Sequence, residues 1–540
     1  MTLAATIPAP AGLAHRIRLW VGAISGRRRA AVAFAAGSLS VLAFAPVFFA
    51  PILFLTLPCL VWLIDSSSNT RAAAIASWWF GFGYFFFNLF WIGEAFLVEA
   101  DKFAILLPVA ITLLPAGLAL FWACAGAAAR LVWPGGLARV LVLAITLSVA
   151  EWLRGHVLTG LPWNVIGYAL TYPLSLMQSA ALLGVYGLTP IAILIFTAPL
   201  VCIADRTRAA PADWVRAFAI AIIPLAGLWA YGVGRLAVPQ TFLPDVKIRI
   251  VQPSVPQREK WLPEFQKQIF DDHLALSIAN AEGIRDDLAG ITHVIWPEAA
   301  MPFLPLETPA ALKAIADMLP DGRVLVTGAL RRETKAGATA VEAFNSLMAF
   351  NANGGLSALY DKIHLVPFGE YLPVEPVLTA LGFKKLTHGR GSFSAGAQPR
   401  PLINIAGLPP VAGLICYEVL FPGEIVQGGQ RPGLLINVTN DGWFGNTTGP
   451  RQHFHQTRVR AVEEGVPLIR AANNGISAVI DRNGRVLGAL GLNVRGIIDS
   501  QVPAGAGPTP YTRFGDFGLS LMLVLFAAAA AALWPKKSKK

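Results

Sequence analysis

VAGLICYE, residues 411–418, and LLINVTND, residues 434–441, are near-continuous apolar runs that turn polar only at their C-terminal ends. A strand with one wet face alternates apolar and polar residues, whereas a strand covered on both faces does not. These two runs therefore read as interior strands. Similar runs are VKIRIVQPS (246–254), THVIWPE (292–298), RVLVTGAL (323–330), FNSLMAF (344–350) and SAVIDRNGRVLG (477–488). Helical stretches separate them, at 263–288 after Pro263, at 309–318 and at 450–465. Strands alternating with helices predict an α/β sandwich over residues 240–510. That segment contains no GxxxxGK[ST] phosphate loop and no CxxC. His453 and His455 stand two apart, too little for a metal site without acidic or cysteine companions. No cofactor and no metal is expected.

Around this segment the chain changes character. The sequence has 540 residues, of which 55% are hydrophobic and 14% charged. An ordinary soluble protein carries about 25% charged residues. The deficit is concentrated in residues 1–239 and 515–534, so the chain reads as a polytopic membrane protein carrying one large polar domain. A spanning helix needs roughly 20 apolar residues. Eight candidates occur, near 30–46, 49–65, 72–93, 103–128, 138–153, 175–203, 214–234 and 515–534. The first is not a cleaved signal peptide, because no small-residue cleavage site ends it and more spans follow.

The expected organisation is a membrane domain of seven helices over 1–239, the α/β domain over 240–510, and an eighth helix with a basic tail over 511–540. The net charge of +11 does not indicate nucleic acid. Much of it flanks apolar segments: His15, Arg16, Arg18 and Arg27 to Arg29 at the start, Lys536, Lys537, Lys539 and Lys540 at the end. Arg71, Arg130, Arg139, Arg206, Arg208 and Arg216 lie in alternate loops, while Glu94, Glu99 and Asp101 lie in an opposite one. Lys/Arg-rich loops face the cytoplasm. Both termini are then cytoplasmic, and the α/β domain lies outside.

Cys416 gains its interest from that placement. Cys59, Cys124 and Cys202 sit inside apolar runs, so Cys416 has no partner in its own domain. Cysteines on the oxidising side usually pair. One that does not is either buried and inert or a working nucleophile. Two further groups stand at strand ends, where α/β proteins place reactive residues: Glu298 in VIWPEAAMPF and Lys362 in YDKIHLVPFGEYLP. Each has a plain alternative, as surface carboxylate, solvated lysine or core cysteine. Together they form a coherent set. A carboxylate can take the thiol proton, and an ammonium can stabilise both the thiolate and the oxyanion of a tetrahedral intermediate. The backbone N–H of Tyr417 is a second oxyanion donor.

WPEAAMPF, DKIHLVPFGEYLP, GLICYEVLFP and NVTNDGWFG resemble the Glu-Lys-Cys signature of the carbon–nitrogen hydrolase (nitrilase) superfamily. With eight spans around an extracytoplasmic domain, the chain beyond its first ~25 residues is similar to the bacterial apolipoprotein N-acyltransferases. The resemblance implies a nitrilase-like α-β-β-α sandwich, with Cys416 as nucleophile, Glu298 as general base and Lys362 as oxyanion stabiliser. Glu370 matches a second essential glutamate that orients the lysine or shuttles a proton. Tyr417 and Glu418 match residues that shape the acyl pocket. Trp261, in QREKW, matches an aromatic on a mobile arm near the acyl-chain entrance, although a tryptophan there is equally an interfacial anchor.

The implied reaction moves an acyl chain from a phospholipid, phosphatidylethanolamine at its sn-1 position, through a Cys416 thioester to the α-amino group of a lipidated apolipoprotein. The implied setting is the bacterial inner membrane, with the lipid bilayer as partner and the protein a monomer. Phe303, Leu304, Phe368, Leu420, Phe421, Trp443 and Phe444 either line a lipid pocket or belong to the core. Two rival readings are a membrane-tethered amidase and a transporter or receptor. The latter calls for ionisable groups within the spans. Glu151 and Arg154, near one end of a span, are among the few present.

Overall fold

A computed structural model describes residues 11–334, 341–380, 392–426 and 429–534. The C-terminal lysines Lys536, Lys537, Lys539 and Lys540 lie outside the described residues. Among the described residues eleven strands form two sheets. The first contains β1 (Phe242–Gln252), β2 (His293–Ile295), β3 (Val324–Thr334), β4 (Val341–Asn351), β5 (Leu356–Asp361) and β11 (Gly496–Pro503), in the order β11-β1-β2-β3-β4-β5. The second contains β6 (Val411–Ile415), β7 (Leu434–Thr439), β8 (Leu468–Ala472), β9 (Ser477–Ile480) and β10 (Val486–Leu490), in the order β10-β9-β8-β7-β6. The pairs β1–β2, β2–β3, β6–β7 and β7–β8 are parallel.

The continuous apolar runs are explained by what covers each face. Successive residues of a strand point to opposite sides. Val324, Val326, Leu347 and Ala349 join a core shared with Val411, Ile415, Ile436, Val438 and Ile469 of the other sheet. Their neighbours Leu325, Met348 and Phe350 join Phe270, Ala311 and Ile315 of helices Gln266–Ser277 and Pro309–Met318. In the second sheet Ala412, Leu414, Leu435 and Leu468 pack with Ala461 of helix Gly449–Glu464. The layers are therefore helix, sheet, sheet, helix.

Two expected elements are shorter than the sequence suggested. The helix expected over 263–288 ends at Ser277. The Ser277 hydroxyl donates back to the His273 carbonyl, and Asn280 accepts from the N–H groups of Glu282 and Ile284 to close a tight turn. Such local side-chain bonds compete with helix. The run 477–488 is a hairpin rather than one strand, because Asp481 accepts from the N–H groups of Asn483 and Arg485 and turns the chain.

All eight expected apolar segments are helical: Gly26–Ser40, Leu53–Asp65, Thr70–Leu89, Leu107–Leu131, Leu137–His156, Ala180–Ala204, Pro211–Leu236 and Phe517–Ala532. Among the described residues four stretches are long and apolar enough to cross a membrane, Thr70–Val98, Ala100–Leu131, Ala180–Ala204 and Pro211–Leu236. Ala50–Asp65 and Phe517–Ala532 are apolar but shorter. Leu113, Leu120, Val215, Ile223, Trp229, Val524 and Leu525 are exposed on these helices. Apolar surface on that scale suits lipid rather than water.

The bundle has two chemically distinct ends. At one, Arg139 pairs with Asp65 at 3.2 Å and Asp205 at 2.6 Å, Arg18 reaches Asp205 at 2.9 Å, and Arg130 donates to the Ser67 carbonyl at 2.8 Å. At the other, helix Gly449–Glu464 is buried between its own sheet and the bundle. Its His455 meets Thr171 at 2.7 Å, its Gln452 accepts from Trp163 at 2.7 Å, and its Glu463 accepts from the Val185 N–H at 2.7 Å. This explains why the helix lacks an apolar stripe: both of its faces are covered. Glu151 and Arg154 form a closed, fully buried pair at 2.8 Å that also takes the Trp122 indole N–H. They brace the bundle near the α/β domain, with the Arg154 guanidinium also bonded to the Leu161 carbonyl.

Candidate active site

Cys416 follows β6 without a spacer and opens a short 3₁₀ turn, Cys416–Leu420. Its φ is 54°, in the left-handed region that non-glycine residues rarely occupy. Such a backbone costs about 1–3 kcal/mol and persists only where the surroundings impose it. Here Asn437, on the adjacent β7, donates to the carbonyls of Leu414 and Cys416, both at 3.2 Å. From below, the Glu418 carboxylate accepts from the N–H groups of Ile415 (2.7 Å), Ile363 (2.9 Å) and His364 (3.0 Å), and from the Tyr360 hydroxyl at 2.8 Å. Glu418 is completely buried. Burial opposes its charge, but Arg400 and these backbone donors overcome that and hold its carboxyl below the usual range. One carboxylate thus ties the turn bearing Cys416 to the segment bearing Lys362. It sits beneath the site, not on an open wall.

Glu298 lies on the loop after β2. That loop rests on β3 at Gly328, whose N–H donates to the Pro297 carbonyl at 3.1 Å and whose carbonyl accepts from the Ala300 N–H at 2.9 Å. A Cβ at Gly328 would lie 2.6 Å from the Glu298 Cα, so only glycine lets the loop approach this closely. Lys362 follows β5. Its Nζ is 2.9 Å from the Glu370 carboxylate and 3.9 Å from that of Glu298. Asn345 on β4 donates to both carboxylates, at 2.8 Å to Glu298 and 3.0 Å to Glu370. The Val366 N–H donates to Glu370 at 2.8 Å. Tyr417 places its ring 5.4 Å from the Lys362 Nζ and donates its hydroxyl to the Leu365 carbonyl at 2.5 Å.

Glu298, Lys362, Glu370, Cys416, Tyr417 and Glu418, drawn from three separate motifs, therefore occupy one buried cluster. Trp261 is half-buried and follows Lys260, whose Nζ donates to the Glu298 carbonyl at 3.0 Å. Of the apolar candidates, Leu420 and Phe421 are core residues, Phe303 packs on Phe270, Phe444 packs on Trp91 and Trp163, and Phe368 is half-exposed. Leu304 and Trp443 are half-buried.

The electrostatics favour a base-assisted thiol. Burial raises the Cys416 thiol pKa, the Glu298 charge raises it further, and Lys362 only partly opposes them. The resting group is therefore a thiol rather than a thiolate. Burial also raises the Glu298 carboxyl, against the pull of Lys362, so it is a stronger proton acceptor than an exposed carboxylate. Burial pulls the Lys362 ammonium down, but Glu370, Glu298 and Cys416 more than reverse this, and Lys362 stays charged. A base, a cation and a nucleophile in a dry site can attack an acyl carbonyl and hold the resulting oxyanion.

Several partners escaped the sequence reading. Asn345, Arg400 and Lys260 carry no motif of their own, although Lys260 is in the QREKW stretch beside Trp261. Behind Cys416, Asp441 accepts from Arg470 at 2.8 Å and lies 3.0 Å from the His453 Nδ1. His453 thus has an acidic companion that its spacing from His455 did not reveal. The two histidines serve different partners, Asp441 and Thr171.

Residues 36–198 match the family description "Apolipoprotein N-acyltransferase N-terminal domain", and residues 249–511 match "Carbon-nitrogen hydrolase". A protein of Rhodopseudomonas palustris named apolipoprotein N-acyltransferase is 45% identical over 525 residues, 95% of this chain and 97% of that one. One of the same name from Bradyrhizobium diazoefficiens is 46% identical over 511 residues, 93% of this chain and 94% of that one. A solved amidase from Nesterenkonia sp. AN1 aligns at 20% identity and TM-score 0.34, over 51% of this chain and 98% of that one.

Proposed function

The chain belongs to the apolipoprotein N-acyltransferase family, and from that premise we propose that Cys416 carries a fatty acyl group from a phospholipid to a lipoprotein amine. The protein is an acyltransferase of the carbon–nitrogen hydrolase superfamily, acting in lipoprotein N-acylation. The observation that carries the mechanism is the convergence of Glu298, Lys362 and Glu370 around Cys416, at the end of a helix bundle whose outer surface is apolar.

In the first half-reaction the Cys416 sulfur attacks the sn-1 ester carbonyl of phosphatidylethanolamine while Glu298 takes the thiol proton. Lys362 and the Tyr417 N–H stabilise the oxyanion. Collapse expels the lysophospholipid oxygen, which takes the proton from Glu298, and leaves a thioester. In the second, the α-amino group of the diacylglyceryl-cysteine attacks that thioester. Its proton passes through Glu298 to the departing Cys416 sulfur, and an amide is released. Glu370 holds the Lys362 ammonium in line throughout. A thioester enclosed by apolar groups is shielded from water, which favours transfer over hydrolysis. Both substrates sit in one leaflet, so a bilayer-level site avoids extracting each chain at about 0.8 kcal/mol per CH₂. Trp261 and Tyr417 are assigned to the acyl-chain side of the site.

Purified protein given phosphatidylethanolamine with a labelled sn-1 chain and a diacylglyceryl-cysteine peptide is expected to yield labelled amide. Release of free fatty acid at the same rate with or without the peptide would mark it as a hydrolase instead.

The same reading places eight spans in the inner membrane. The arginine-rich end, with Arg18, Arg130 and Arg139, faces the cytoplasm under the positive-inside rule. The α/β domain is then periplasmic, and both termini are cytoplasmic. A cysteine introduced at exposed Val486 of β10, in a background without Cys59, Cys124 and Cys202, should react with a membrane-impermeant maleimide in spheroplasts. Labelling only after the inner membrane is breached would invert this topology.

A further inference from the structure

Lys260 is a further buried charge beside the Glu298–Lys362–Cys416 set. Its side chain is 1% exposed, and its Nζ donates to the backbone carbonyl of Glu298 at 3.0 Å. The titratable groups that act on it are Glu298 on the loop after β2, Cys416 after β6 and His273 on helix Gln266–Ser277. Burial lowers the His273 pKa to about 4, so His273 is neutral at pH 7 and adds no charge.

The charge balance of the site turns on this lysine. Among the described groups, Glu418 faces Arg400, Asp441 has Arg470 at 2.8 Å, and Glu370 has Lys362 at 2.9 Å. Glu298 has no cation of its own, since its 3.9 Å approach to Lys362 shares an ammonium already engaged by Glu370. Two ionised carboxylates beside one ammonium leave a net negative charge in a dry site, which is strongly unfavourable. A second ammonium removes it. Because Lys260 binds the Glu298 carbonyl oxygen and not its carboxylate, it supplies field without capping the atoms that must accept the proton.

We propose that Lys260 is a positioning residue whose ammonium is the counter-charge that keeps Glu298 ionised, and its loop fixed, as the base for Cys416. The inference rests on the assignment of Glu298 as that base. Burial lowers the Lys260 pKa to about 8, with Glu298 and Cys416 opposing the fall, so the ammonium is present at neutral pH and is lost as pH rises through that value.

The test is the rate of Cys416 alkylation by iodoacetamide in the full-length protein across pH 5–9, read on the Cys416 peptide by mass spectrometry. Lys260→Gln keeps a donor to the carbonyl but removes the charge, and Lys260→Arg keeps the charge. Removing a nearby cation raises a carboxylate pKa, so the acid limb in Lys260→Gln should move up by about one pH unit. The rate below both midpoints should fall about tenfold. Lys260→Arg should retain the wild-type midpoint. An unshifted limb in Lys260→Gln, or an equal shift in Lys260→Arg, would overturn the proposal, and the second arm decides even if the first variant does not fold. Glu298→Gln, run alongside, separates the two assignments. Loss of the acid limb supports Glu298 as base whatever Lys260 does, whereas a retained wild-type limb removes the base assignment and the inference with it.

Discussion

Cys416→Ala is expected to form no acyl-enzyme and to transfer no acyl chain, with turnover below about 10⁻⁴ of wild type. Wild-type protein incubated with phosphatidylethanolamine should gain the mass of one fatty acyl group, and hydroxylamine should remove it. The alanine variant should show neither the gain nor its removal. The loss is this large because no neighbour can substitute for the sulfur. Glu418, the acidic residue of the same turn, is engaged by Arg400, by the Tyr360 hydroxyl and by the N–H groups of Ile363, His364 and Ile415. The fold should survive. Alanine meets the same backbone demand at φ 54° as cysteine, and Cys416 is already 7% exposed. Deleting the sulfur from such a site costs about 1 kcal/mol. A hydroxylamine-sensitive adduct on the folded Cys416→Ala protein would place the acyl group elsewhere and end the thioester mechanism.

Glu298→Gln is expected to slow acyl-enzyme formation by about 10²–10⁴-fold and to change how stability depends on pH. Burial and the Glu298 charge keep Cys416 as a thiol, so attack requires a proton acceptor in the transition state. An amide of the same shape cannot take that proton. It can still bond Asn345, and Lys362 retains Glu370 at 2.9 Å. For stability, the sign follows from the raised carboxyl pKa of folded Glu298, caused first by burial. A carboxyl raised on folding stabilises the native state below its unfolded pKa, and that contribution is lost as pH rises through the folded value. Glutamine lacks this loss, so the melting temperature of the variant relative to wild type should rise with pH between those two values. Single-turnover acylation and melting curves over the same pH series check both parts. A Glu298→Gln enzyme that acylates at the wild-type rate would remove Glu298 from the chemistry.

The cluster was only half legible in the motifs. Glu298, Lys362 and Cys416 stand at strand ends, where their chemistry can be read one residue at a time. Asn345, in the middle of FNSLMAF, looks like a polar interruption of a buried strand. It bridges Glu298 and Glu370 because β4 lies between β3 and β5 in the sheet order, and pairing order is not written in any one strand. Lys260 was hidden in the same way. Among Arg258, Glu259 and Lys260 only the lysine is buried, and nothing in their local spacing separates them.

The sequence by itself determined the division into a bundle of apolar helices and an α/β sandwich, the positions of the eight helical segments, and the placing of the candidate residues Glu298, Lys362 and Cys416 just after strands. These depend on local apolar periodicity and on residue chemistry, which are properties of short windows of chain. Only the tertiary structure decided which charges compensate which, that Glu418 braces the turn bearing Cys416 from beneath, and that helix Gly449–Glu464 is buried on both faces. Those outcomes depend on contacts between residues tens to hundreds of positions apart. In the dry interior such contacts set both the cost of each charge and its proton affinity.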